Sequence, residues 1–395
     1  MSKNKNLFSK EVKEIHIVYR FLGIKFSIKN PEFYNKLKQE TKEAIKIQNK
    51  YDLTSLKNTK KLVLFLTPAG AKVCGGVMSI FSLCETSRKF ASDSLCIIST
   101  YPKSKYTYAN NDKFLNDEKI YRFSQIIDNC KNLEELIIHI PDYYSQFFYK
   151  DLKHKDRKFL KSMNNLHLNI MNQNIELMPE PKKLQNLYKL TSNITQTIAH
   201  KRYATQEVCN KWQIPTHLFS VNIDLERYKT YSFEEKEKII VLSPDEHEYR
   251  EKVVNALKQN LPDWKLVTVQ NMSFSEYMDL ISRAFFTITF GEGMDGYLNQ
   301  PFYKNSIGFA VYNENFFPSK EWGELKNIYS SYEEMLENIC KDLKDLYSNK
   351  TLFSETIENH KKLLTSIYQL SDFNDNLRRF YEKNYDFIPQ IKGEK

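Results

Sequence analysis

Short apolar runs recur along this chain, and stretches of helical spacing separate them. Lys61–Thr67 is continuous and apolar, as strands covered on both faces are. Ser94–Thr100, Ile120–Phe123, Leu133–Ile140, Leu166–Asn172 and Thr195–His200 follow it. A polar stretch over about 222–237 interrupts the series. It restarts at Lys238–Ser243 and runs through Trp264–Val269, Phe285–Phe290 and Ile307–Tyr312. Strands that alternate with helices imply crossover connections and parallel sheets. The expectation is an α/β fold in two halves with a helical tail. Before the first half, Ile15–Ile28 alternates weakly and reads as an edge hairpin turning near Gly23.

At 395 residues the chain exceeds the size at which one core usually stops growing. The divisions expected are 1–225, 226–350 and a helical tail over 351–395. Ser331 and Glu334 form a capping box that opens the tail's first helix. A second amphipathic stretch spans Leu352 to Tyr385. No apolar run is long enough to span a bilayer, and the first residues carry no apolar leader core. These features place the protein in the cytoplasm, with peripheral attachment at the inner face of a membrane left open. The six cysteines are scattered without a C-x-x-C pair, so reduced core thiols are expected and zinc is not.

Glycine is scarce, with only ten residues, yet six of them fall in two clusters behind apolar runs. Gly70, Gly75 and Gly76 follow Lys61–Thr67, and Gly291, Gly293 and Gly296 follow Phe285–Phe290. Open α/β sheets bind nucleotides at such places, where backbone N–H groups are free and a ligand can approach closely. In the second cluster Glu292 and Asp295 could accept ribose or sugar hydroxyls. The plain alternative is a tight turn without a ligand. Gly291, Gly293 and Gly296 match the dinucleotide string literally. Its position late in the chain leaves the match as weak evidence for a nicotinamide cofactor. Gly75 and Gly76 open a helix, as a cap or as a phosphate or acceptor contact. Arg250 and Lys252 suit a diphosphate, or else a solvated helix face. His139 and Asp142 end a strand and could supply a general base on a hydroxyl. A satisfied core histidine is the alternative at His139. His200, Arg202 and His247 are further cleft candidates. No metal site is expected.

The net charge is +9, spread along the chain, with short basic runs such as Lys150–Lys158. No nucleic-acid recognition module is visible, so nucleic acid is not expected as a partner. An anionic surface or substrate fits the charge about as well.

The two α/β halves, the glycine loop after the first strand and the Glu292 glycine turn together resemble a GT-B glycosyltransferase. In that fold two Rossmann-like domains face a cleft, and C-terminal helices often cross back to the first. Arg20–Phe26 is similar to the opening of several bacterial capsule, lipooligosaccharide and O-antigen sugar transferases. The resemblance implies a nucleotide-sugar donor such as a UDP-sugar, held mostly by the second domain. It also implies a glycan or lipid-linked glycan acceptor held by the first, and no cofactor or metal. Glu292 would match the first glutamate of an E-x7-E donor pattern, whereas Gln300, eight residues on, stands in the place of the second. Arg250 and Lys252 would take the place of the phosphate-binding Arg and Lys. Two other readings share this architecture: a nucleotide-sugar epimerase and a non-catalytic glycan-binding scaffold.

Overall fold

The computed structural model describes residues 8–12, 16–21, 24–69, 75–110, 118–220, 225–226, 228–367 and 369–390. Gly23 and Gly70 lie outside them. Three sheets form. Near the N-terminus β1 (Phe8–Val12), β2 (His16–Phe21) and β3 (Ile24–Lys29) pair antiparallel in sequence order. The expected hairpin is β2–β3, with β1 as an added strand.

The first large sheet holds β4 (Lys61–Thr67), β5 (Leu95–Thr100), β6 (Ile120–Arg122), β7 (Glu135–Pro141), β8 (Asn165–Asn172), β9 (Ile194–Ile198) and β10 (Thr216–Leu218). Their spatial order is β10-β9-β8-β7-β4-β5-β6, and every pairing is parallel. The second holds β11 (Glu237–Leu242), β12 (Lys265–Thr268), β13 (Ala284–Ile288), β14 (Ile307–Val311) and β15 (Ile328–Tyr329). Its order is β12-β11-β13-β14-β15, again parallel throughout. The continuous apolar runs explain the parallel sheets, because helices cover both faces. β10 and β15 are too short to give a periodic signal in the sequence.

The chain enters the second sheet through Lys236, whose stem and amine are buried. Its Nζ lies 2.7–3.2 Å from the carbonyls of Ser282, Ala284 and Lys304 and from Ser306 Oγ, and shares its N–H groups among them. Burial pulls its pKa down to about 7. Four acceptors converge on one amine, so Lys236→Ala strands several of them at once. The expected loss is about 3 kcal/mol in a chemical melt.

The last helix, Leu370–Tyr381, binds the two halves together. Phe373, Leu377 and Phe380 share one apolar cluster with Phe65 and Ile98 of the first sheet and Val241 of the second. Phe380 inserts among three buried histidines on strands of the first sheet. Its ring centroid lies 5.5 Å from His139, 5.6 Å from His167 and 6.1 Å from His217. Beyond the helix, Phe387 bridges Thr216 in antiparallel fashion. Asp386 accepts from the Leu218 amide at 2.8 Å and pairs with Arg379, also at 2.8 Å. Its other close neighbour is His217 Nδ1, at 3.0 Å. Burial alone would raise the Asp386 carboxyl, but His217, the amide and Arg379 bring it down to about 2.

Candidate active site

The carboxyl ends of both parallel sheets meet at a cleft, where open sheets place ligands. On the second half, β13 runs into the Gly291–Gly296 turn. Ser243 Oγ, at the end of β11, accepts from the Phe290 amide at 3.0 Å. Thr289 Oγ1 accepts from the Gly291 amide at 3.2 Å and donates to Asp295 at 2.5 Å. The other Asp295 oxygen accepts from the amides of Tyr297 and Leu298, capping the short Gly296–Asn299 helix. Asp295 is thus spent within the turn and is not free for a ribose hydroxyl. Loss of water around its carboxyl pushes the pKa to about 7, with Asp245 adding to the shift.

Two glycines have steric reasons to be there. Gly293 has φ +84°, and a Cβ would lie 2.7 Å from the Val311 carbonyl. At Gly291 a Cβ would meet the movable Asp245 carboxylate at 3.0 Å. Gly293→Ala is therefore expected to cost at least about 2 kcal/mol and Gly291→Ala distinctly less, measured by thermal melting.

Glu292 leans across the cleft. Its Oε1 accepts from Asn174 Nδ2, on the first half, at 2.6 Å. Burial raises its pKa, as do Glu176, Asp245 and Asp142, while Asn174 opposes them. Asn174 is held in place by Asp142. One Asp142 oxygen accepts from the amides of Gln173 and Asn174, at 2.9 and 3.0 Å, and the other from Tyr143 at 2.7 Å. Burial raises the Asp142 pKa against these three bonds. Asp142 therefore positions the loop that meets Glu292, and its lone pairs are taken up by backbone amides. Sequence reasoning missed Gln173 and Asn174. The polar stretch at the carboxyl end of β8 was the available signal.

His139 is not at the cleft. It is fully buried, stacked on Phe65 with centroids 4.2 Å apart, and its Nδ1 lies 2.9 Å from Asn169 Nδ2. Burial, then His167, lowers its pKa. The expected base at His139 is corrected to the core histidine that was its alternative. His139 lies two residues inside the end of β7, and its ring faces the apolar layer of Phe65 and Phe380 rather than the loops.

Arg250 and Lys252 part company. Arg250 Nη2 donates to the Ser243 carbonyl and Thr268 Oγ1, at 3.2 and 3.1 Å, and its guanidinium stands 5.5 Å from the Phe290 ring. Its Nε is buried without a partner. Lys252 is exposed and lies over Tyr249, 4.3 Å from the ring. Residues two apart on a helix point to different sides, so the pair forms no joint clamp. His247 stacks on Tyr332 at 3.8 Å, and Tyr332 stands parallel to Phe290 at 6.4 Å. Burial, then Asp295 and Asp245, pushes Tyr332 up to about 12. Tyr332 opens the Tyr332–Ser348 helix, and the Ser331 cap was the signal that could have marked it.

Facing these groups, Gly75 and Gly76 begin the Gly75–Phe90 helix. The Gly76 carbonyl accepts from Gln173 Nε2 at 2.9 Å. His200, half-buried, has Nδ1 without a partner, and its ring meets Phe316 edge-on at 5.8 Å. Burial lowers its pKa. Arg202 donates to the Phe317 carbonyl at 3.1 Å and Tyr203 to that of Asn315 at 2.5 Å. His200, Arg202 and Asn174 thus fasten the first half to the second. Among the described residues no group of three His, Cys, Asp or Glu could hold a metal ion.

Solved structures share this fold. Sucrose-phosphate synthase from Thermosynechococcus elongatus matches with a TM-score of 0.54 at 10% identity, over 82% of this chain and 98% of that one. The fold is GT-B. Anabaena HepE, solved with UDP and glucose, gives 0.53 at 9% identity over 82% of this chain and 100% of that one. An alpha-glucosyltransferase solved with UDP-glucose and DNA gives 0.53 at 10% identity over 83% and 100%. No family model matches the chain, and no curated protein matches its sequence. The last of these structures corrects one expectation. Nucleic acid was excluded for want of a recognition module, yet a protein of similar fold is solved with DNA beside its nucleotide sugar. The GT-B architecture does not support that exclusion.

Proposed function

We propose that the protein transfers a sugar from a nucleotide-sugar donor, such as a UDP-sugar, to a surface-polysaccharide acceptor. The observation that carries the reading is the Glu292–Asn174 contact at 2.6 Å, which joins the glycine turn of one half to the loop after β8 of the other. A carboxylate on such a turn can accept hydroxyls of a sugar or ribose. Arg250, with an unpartnered buried Nε at the carboxyl end of β11, supplies a fixed cation. Charge builds on the leaving phosphate as the sugar–phosphate bond breaks. A cation held in place stabilises that charge more in the transition state than in the ground state. The cross-cleft contacts of Asn174, Arg202 and Tyr203 keep water out and limit hydrolysis of the donor.

The nucleotide sugar is a substrate, so the reading calls for no resident cofactor. A donor-hydrolysis screen across nucleotide sugars tests it. Slow release of free sugar and nucleoside diphosphate is expected from one donor, with water as a poor acceptor. Failure to turn over any donor, with or without glycan acceptors, overturns it.

A further inference from the structure

The basic run at Lys150–Lys158 has no part in the cleft. It lies where the Asp142–Asp151 helix gives way to the His154–Lys161 helix. Residues 149–161 contain six Lys or Arg and two Asp. The two aspartates, and Asp128 paired with Lys155 at 2.7 Å, offset the six cations only in part, and an excess of positive charge remains. Asp156 is buried and accepts from the Lys153 amide at 2.9 Å, and Asp151 accepts from Tyr144 at 3.1 Å. A groove of about 620 Å³ opens here, lined by Tyr149, His154, Arg157, Lys158, Lys161 and Ser162. Arg157 is held by the carbonyls of Tyr149 and Lys150, at 3.2 and 3.3 Å, with its guanidinium 4.5 Å from the Tyr149 ring. Lys189 reaches the same ring at 5.4 Å. Lys158 and Lys161 are exposed.

The helix that leads into this groove also carries exposed aromatic side chains. Tyr143, Phe147, Leu177 and Tyr188 are large apolar side chains left exposed. Tyr143 and Phe147 pack edge to face at 5.4 Å, one turn apart on the Asp142–Asp151 helix. That helix packs against residues 187–189, which bring up Tyr188 and Lys189. Leu177 follows the loop whose amides bind Asp142, the first residue of the same helix. Exposed aromatics rimmed by lysines are the chemistry of a protein that lies on a membrane surface.

We propose that this face seats the protein on an anionic lipid bilayer. Tyr143, Phe147, Leu177 and Tyr188 enter the interface, and Lys150, Lys158, Lys161 and Lys189 meet the headgroups. Charge complementarity selects an anionic occupant. Leu177 favours lipid over nucleic acid, because an aliphatic side chain beside the patch gains by meeting hydrocarbon and cannot stack on a base. Attachment is peripheral, since no helix among the described residues is long and apolar enough to cross a membrane. The patch begins on the helix headed by Asp142, so the cleft mouth lies near the lipid surface.

The test is independent of the donor reading, because it uses no nucleotide. The full-length protein is sedimented with phosphatidylcholine vesicles that contain or lack phosphatidylglycerol. Two variants accompany it: Lys158→Glu with Lys161→Glu, and Tyr143→Ser with Phe147→Ser. All four positions are exposed, so both variants should melt with the wild type. The wild type should bind only the phosphatidylglycerol vesicles and release in high salt. Each variant should bind at least about tenfold more weakly. No binding to anionic vesicles overturns the proposal, as does binding that neither variant weakens. A wild type that ignores vesicles but shifts a DNA or RNA oligonucleotide, with the loss in the lysine variant, overturns it in favour of nucleic acid.

Discussion

Glu292→Ala should lower sugar transfer by on the order of a hundredfold or more, while the protein remains folded. The side chain is partly exposed, and its one hydrogen bond, to Asn174, spans the cleft rather than the core. Its removal leaves the glycine turn intact, because Thr289, Ser243 and Asp295 hold that turn without it. What is lost is a fixed acceptor for the donor, and groups of that kind carry two to three orders of magnitude in rate. Glu292→Gln should restore part of the activity if the role is to accept hydrogen bonds, and none if the charge is required. Asp142→Asn should act on the same step more mildly, since it loosens the loop that presents Asn174 to Glu292. Initial rates with the donor found in the hydrolysis screen, together with melting curves for each variant, check all three.

Phe380→Ala is the substitution expected to cost most stability, about 3–5 kcal/mol. The ring is 1% exposed and lies in the cluster that joins the last helix to both sheets. Its loss leaves a cavity between strands that cannot collapse, and Leu370–Tyr381 should become open to protease before the rest of the chain does. The same cluster makes the wild type sensitive to acid. Burial lowers His167 from 6.5 to about 4, and Lys383 adds to that shift. His139 is lowered as well, by burial and then by His167. The unfolded chain therefore binds protons first as pH falls. Stability is fully present above about 6.5 and declines toward pH 4, by about 3 kcal/mol at His167 alone. Tyr381, Tyr385, Lys383, Arg379 and Asp386 surround these rings, and Asp386 stays ionised through this window. Chemical melts at pH 7 and pH 5 measure the decline. An unchanged midpoint would show that the histidines are already solvated.

The parallel sheets were legible because β4, β11 and β13 read as largely continuous apolar runs and β7 and β8 as short buried ones, each followed by helical spacing. β10 and β15 were not, since strands of three and two residues carry no period. The tail's second amphipathic stretch proved to be two helices, Lys350–Thr365 and Leu370–Tyr381. Glycine scarcity made the Gly291–Gly296 turn visible, and Gly293 has the positive φ that such a cluster advertises. The partners of the turn were beyond reach. Asn174 lies 118 residues from Glu292, and only the packing of two sheets brings them together. His139 misled because a histidine on a strand has the same sequence signature whether it faces a cleft or Phe65.

The central claim is that the glycine turn and Arg250 seat a nucleoside diphosphate. Calorimetric titration of the wild type with UDP, GDP and ADP tests it most directly, beside Arg250→Ala and Glu292→Ala. One of the nucleotides should bind the wild type, and Arg250→Ala should weaken it at least tenfold. The claim is contradicted if none binds, or if both variants bind as tightly as the wild type.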